Sequence, residues 1–186
     1  MATNNFWTAN AVAKDPKRGF RFRVIMGDQA LGMLWMAKKA DRPTLSLTEA
    51  KHDFLNHSFY WPARAEWNEV SITLVDPVEP DIAGTLMGFL KDSGYRIPAG
   101  TNDNIEMGSI SKAGAIAATG AITIEQLDEA GGRLESWHLI NAWIKEVDFS
   151  ELDYSNDDLS EVTLKIRYDR AQFTDSKGAQ LFSLNN

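Results

Sequence analysis

The residues best suited to chemistry are three histidines, a run of carboxylates and six tryptophans. His52 and His57 lie five positions apart in an irregular stretch. That is no recognised metal-ligand spacing, and the chain has no cysteine to complete a site. Ser136 and His138 are two apart, so in a strand both point to one face, with Asp128 close in sequence. A nucleophilic serine needs a strained strand-to-helix turn, and no G-x-S-x-G occurs. The acids between Asp148 and Asp158 could serve glycoside hydrolysis or bind Ca²⁺, but they break the EF-hand pattern. Their Ser/Asn/Asp company favours a solvated turn. No phosphate loop, G-x-G-x-x-G or H-E-x-x-H is present. Trp7, Trp35, Trp61, Trp67, Trp137 and Trp143 could stack sugars or bases, yet tryptophan is enriched in cores and protein interfaces. No catalytic residue, metal site or cofactor is expected, and the chain does not read as an enzyme.

Composition narrows the classes further. A chain of 186 residues buries roughly 70% of its unfolded surface, enough for one core. Without cysteine there is no disulfide framework, which fits a reducing compartment. The N-terminal MATNNFWTANAVAKDP lacks the basic-then-apolar order of a secretory signal, and no stretch approaches a membrane span. A formal charge of −7 speaks against gripping nucleic acid, because phosphate neutralisation drives that binding. It does not oppose DNA sliding past.

These residues must be positioned by strands. Residues 1–18 read as an arm with Phe6 and Trp7 as isolated apolar anchors, and 19–186 as a single domain. Phe20, Phe22, Val24 and Met26 share one face of a first strand; Gly27-Asp28 then marks a turn. Residues 30–37 read as a short strand or a loop. Leu45 and Leu47 alternate with Thr44, Ser46 and Thr48. From Glu49 to Trp67 no period holds, so an irregular excursion is expected, too aromatic to be disordered. Glu69–Val75 and Glu161–Asp169 are half-buried strands. One helix is predicted, opened by Asp81, carrying Ile82, Leu86, Phe89 and Leu90 on one side and closed near Gly94. Its Gly84 and Gly88 suggest close packing on a sheet. Tyr95–Ser111 is a second irregular stretch. After it the chain reads as nearly all strand, Ile122 and Ile124 opening one, with a hairpin turn at residues 128–132 and a face switch near Asn141-Ala142 that suggests a bulge.

The C-terminal half carries a resemblance. WHLINAW (137–143), followed by VDFSELDYSNDDLSEVTLKIRYD (147–169), resembles the closing strands of the tail tube proteins of contractile-tailed bacteriophages, relatives of the type VI secretion tube. That family follows a W-x-L-x-x-A-W type strand with an S-x-L-D-Y-S turn, an E-V-T-L strand and a terminal R-Y-D. FRFRVIMG (20–27) is similar to its first strand, and EWNEVSITLVDP (66–77) to the strand before its helix.

The resemblance implies a mainly β subunit, an antiparallel sandwich or barrel-like fold with one flanking α-helix. Six copies would form a ring with a shared inner β-barrel, and rings would stack into a hollow tube inside a contractile sheath. Sheath, baseplate and tape-measure proteins are the implied partners, with DNA passing through the tube without specific binding. The implied location is the virion tail, assembled in the host cytoplasm. In this family the loop between the second and third strands reaches toward the adjacent ring. The expected interface residues are therefore Phe54, Leu55, Phe59, Tyr60 and Trp61, with Phe6 and Trp7. Two other readings stand beside this one. The first is the inner tube of a phage-derived injection or secretion particle; the second is a monomeric, tryptophan-rich carbohydrate-binding module.

Overall fold

Val70, Ile72 and Leu74 are fully buried while Ser71 and Thr73 stay half-exposed, and Val162, Leu164 and Ile166 repeat the pattern opposite them. This period-two alternation fixes one face of each strand against a core. The computed structural model describes residues 16–27, 36–95, 109–155 and 157–181. Its elements are β1 (Phe22–Met26), β2 (Ala37–Ala40), β3 (Leu45–Phe54), β4 (His57–Trp67), β5 (Val70–Val75), α1 (Ile82–Asp92) and α2 (Lys112–Thr119). They continue with β6 (Ile122–Leu127), β7 (Arg133–Ile140), β8 (Trp143–Phe149), β9 (Glu161–Arg167), β10 (Arg170–Thr174) and β11 (Gln180–Leu181). The Phe6–Trp7 pair, most of the 30–37 segment and most of the 95–111 stretch lie outside the described residues.

The strands form a five-stranded sheet, β1-β6-β7-β10-β11, and a four-stranded sheet, β2-β5-β9-β8. All pairs are antiparallel. One core lies between them. The five-stranded sheet supplies Val24, Met26, Ile122, Ile124, Leu139 and Ala171; the other supplies Val70, Ile72, Leu74, Val162, Leu164 and Ile166. Burying each such aliphatic side chain stabilises the fold by about 1.5–3 kcal/mol.

Among the described residues two helices flank the sheets, where one was expected. Helix α1 starts as expected: Asp81 caps it, its Oδ1 accepting from the Gly84 amide at 2.8 Å. It ends in a Schellman arrangement, with Gly94 N–H donating to Lys91 O and Tyr95 N–H to Leu90 O. Ile82 and Leu86 enter the core. Helix α2 lies where strand was expected. Ser111 caps it, with Oγ accepting from Gly114 N at 3.0 Å. Its sequence KAGAIAAT offers little contrast between faces, and only Ala115 and Thr119, four apart, are buried. Alanine favours the helix without leaving an amphipathic signature.

The long segment 133–149 is two strands in different sheets, so the face switch at Asn141-Ala142 is a change of sheet. Asn141 takes φ 56° there. At the 128–132 turn, Asp128 Oδ1 accepts from Ala130 N at 2.9 Å and Gly132 N at 2.6 Å, closing the hairpin expected at that place.

Candidate assembly surfaces

The Glu49–Trp67 excursion is regular. β3 and β4 pair along their lengths around a two-residue loop, Leu55-Asn56, with Phe54 opposite His57. Beyond Trp67 at its base, neither face meets this subunit's core: every β3 residue is exposed, and nearly every β4 residue. Alternation records burial, and here there is none to record.

This hairpin prolongs the four-stranded sheet. Ala40 stands opposite Ile72, Asp41 N–H donates to Ser71 O, Asn68 N–H donates to Thr44 O, and Leu45 stands opposite Trp67. The register runs on without a slip, so β2–β3 and β4–β5 are one antiparallel ribbon whose outer half leaves the sheet as a free-standing arm. An isolated two-stranded ribbon is at best marginally stable in water.

Midway along the arm the apolar side changes face. Leu47 pairs with Ala65 but Glu49 pairs with Pro62, so β4 carries one extra residue opposite Thr48. Thr48 Oγ1 accepts from the Arg64 amide at 2.9 Å inside this bulge. Below it, Leu45, Leu47, Ala65 and Trp67 share a face, and Trp67 packs against Tyr168 with ring centroids 6.1 Å apart. Beyond it, the opposite face carries Ala50, His52, Phe54, His57, Phe59 and Trp61. His57 meets Phe59 edge-on at 4.8 Å, Phe59 lies 6.0 Å from Trp61, and His52 lies 6.3 Å from Trp61. Tyr60 faces the other way, with Lys51 and Asp53. Leu55 sits at the apex, 89% exposed.

Of the expected interface residues, the structure thus gathers Phe54, Phe59 and Trp61 on one face, puts Leu55 at the tip and turns Tyr60 away. His52 and His57, which sequence reasoning weighed only as metal ligands, belong to the aromatic face. Counting outward by twos from Leu55-Asn56 would have found them. Among the described residues no three His, Asp or Glu side chains come close enough to hold a metal ion. Ser136 is buried in the five-stranded sheet, and His138 Nδ1 lies 3.0 Å from Thr123 Oγ1. Asp128 is spent on its turn.

The outward face of the four-stranded sheet is polar, and four of its cations lie beside acids. Lys38 bonds Glu161, Lys165 meets Glu146 at 2.7 Å, and Lys145 meets Glu69 at 2.5 Å with Arg167 at 4.0 Å. Thr73 and Thr163 sit across from each other at 3.3 Å. The Lys145 ammonium holds the Glu69 carboxyl below its usual range, with Arg167 and Lys165 adding to it. β2 and β8 are the edges of this sheet. Beside β8 runs an apolar groove of about 340 Å³, walled by Leu86, Phe89 and Leu90 of α1 and by Ile144, Val147 and Phe149.

The two ends of this sheet differ. At one end Val70, Ile166 and Trp143 come together and the arm departs. At the other, Val75 pairs with Glu161 and Val162 with Phe149. There Leu152, Tyr154 and Leu159 stand in solvent. Asp153 accepts from Ser155 N at 2.9 Å within the β8–β9 connection, the solvated turn expected from its composition.

No family model and no curated protein matches the sequence. Solved structures match over nearly the whole chain. One, from the tube-terminating cap of the anti-feeding prophage, has 16% identity and a TM-score of 0.62, over 94% of this chain and 99% of its own. Another, from the sheath/tube terminator of an extracellular contractile injection system, has 16% identity and a TM-score of 0.60, over 87% and 99%. An Hcp protein has 11% identity and a TM-score of 0.50, over 86% and 96%. The two-sheet fold with its flanking helices is the tube-protein fold of these assemblies.

Proposed function

We propose that the chain is a structural tube subunit, forming hexameric rings that stack into a hollow tube inside a contractile sheath. The arm carries this reading. A chain that builds a ribbon, aligns His52, Phe54, His57, Phe59 and Trp61 along it and buries none of them has left an interface open. The tube-protein fold supplies a second copy as its occupant. Free edges at β2 and β8 are a liability that pairing with neighbouring copies around a closed barrel removes.

In that barrel the outward face of the four-stranded sheet lines the bore. Six copies at −7 give about −42 per ring. On this face Lys38, Lys145, Lys165 and Arg167 each lie beside an acid, which weakens their hold on a passing phosphate. DNA or another cargo slides through, while sheath, baseplate and tape-measure proteins complete the machine.

Between a phage tail and an injection particle, the cap and terminator of extracellular particles among the structural neighbours favour the second. Negative-stain electron microscopy over a concentration series tests the reading. Uniform rings or tubes are expected; a monomer with a glycan-binding cleft would replace it with the binding-module reading.

A further inference from the structure

We infer that Glu135 is a positioning residue of the arm: from inside the sandwich it holds Arg42, at the root where the ribbon leaves the sheet. The inference rests on the tube reading only for what the arm is for. Glu135 stands opposite Gln126, one alternation along β7 from Trp137 opposite Ile124, so it faces inward between the sheets and is 4% exposed. Two cations reach it from separate segments: Lys17, ahead of β1, and Arg42, at 3.4 Å, from the bend between β2 and β3. Along the ribbon Arg42 shares a face with Ala40, whereas Leu45 and Trp67 belong to the other, and Trp67 leans on Tyr168. The root is thus braced from both faces, and the five-stranded sheet supplies one of the braces.

Folding alone gives this carboxylate little reason to be there. Desolvating it costs free energy, and replacing a buried ion pair with uncharged groups is often neutral or stabilising. What the pair contributes is direction. A charged hydrogen bond prefers one distance and angle, whereas apolar burial is non-directional. Direction matters most for the arm, because its outer half touches no core and is free to pivot unless its root is held. In a symmetric ring every copy must present it at the same angle.

The chain has no cysteine, so nitroxides can be placed at will. Labels on Asn56→Cys at the tip and Ala130→Cys on the β6–β7 turn, both exposed positions, report the arm's angle by pulsed electron paramagnetic resonance of the monomer. One narrow distance distribution is expected. Glu135→Gln and Arg42→Gln should each lose it while keeping the wild-type urea transition. Without labels, both should need at least about tenfold more protein to assemble. Arg42→Lys should retain the narrow distribution, and so should Lys17→Gln, which leaves Arg42 on Glu135. Arg42 is largely exposed, so Arg42→Gln folds even where Glu135→Gln does not. A distribution that stays narrow in Arg42→Gln would overturn the brace, whether or not tubes form. Equal broadening in Lys17→Gln would overturn it as well. If the distributions respond as expected and the wild-type chain never assembles, the brace stands and the tube reading falls.

Discussion

Asn141 donates from Nδ2 to Asp169 Oδ2 at 2.8 Å, and the bond joins two of the places where the chain passes from one sheet to the other. Asn141 separates β7 of the five-stranded sheet from β8 of the four-stranded one. Asp169 separates β9 from β10 in the reverse sense, and its amide donates to Ile140 O at 3.0 Å. Lys112 of α2 closes the corner, 2.7 and 2.8 Å from the two carboxylate oxygens. The corner therefore ties the two sheets together where the chain crosses between them.

Asp169 makes that corner sensitive to acid. Lys112, then Asn141, hold its carboxyl below the usual range. A folded pKa below the unfolded one means stabilisation that is present above about pH 4 and lost as pH falls through the folded value. Both partners are partly exposed, so the pair contributes only about 0.5–1 kcal/mol. Asp169→Asn should lose that amount in urea unfolding at pH 7 and match the wild type near pH 3. A gap that persists at pH 3 would mean the carboxylate charge is not what matters.

Core and arm should respond oppositely to truncation. Ile72 is fully buried between the sheets, and Ile72→Ala should cost about 2–5 kcal/mol. Phe59 and Trp61 touch mainly each other and the two histidines, so either alanine variant should cost the monomer at most about 1 kcal/mol while abolishing tubes. Urea melts of the monomer beside electron micrographs separate the two effects. An arm variant that melts like Ile72→Ala would show that the arm packs on its own subunit.

What could be read from the sequence tracks burial. β5, β9 and α1 each put one face into the core, and their apolar periods announced them. β3 and most of β4 bury neither face, and the bulge opposite Thr48 turns the odd positions of β4 from one face to the other halfway along. The same rule could not find them. Helix α2 escaped for a related reason, since alanines on every side hide which face is inside. The sequence showed only that Phe54, Leu55, Phe59, Tyr60 and Trp61 crowd this stretch; which of them share a face depends on the hairpin register.

Gly120 is a second backbone test. Its φ is 68°, and a Cβ there would lie 2.8 Å from Gly27 Cα. Gly120→Ala adds left-handed strain of about 1–2 kcal/mol to a backbone clash that requires the α2–β6 corner to move. For a chain of this size each kcal/mol lowers Tm by about 2–4 °C. A drop of several degrees is expected in a thermal scan, and an unchanged Tm would show that the corner yields freely.

The bore should become adhesive when its cations are released. Glu69 holds Lys145 at 2.5 Å and Arg167 at 4.0 Å, and Glu146 holds Lys165 at 2.7 Å. Replacing both acids with glutamine keeps their shape and frees three cations per copy on the face proposed to line the tube. Each phosphate those cations neutralise adds about −0.9 to the slope of log affinity against log salt for duplex DNA. Wild-type tubes should not retain DNA in co-sedimentation at 50 mM salt, a condition chosen to favour weak electrostatic binding. Glu69→Gln/Glu146→Gln tubes should retain it and release it as salt rises. If these tubes ignore DNA as the wild type does, this sheet faces away from the bore, and the five-stranded sheet becomes the candidate wall.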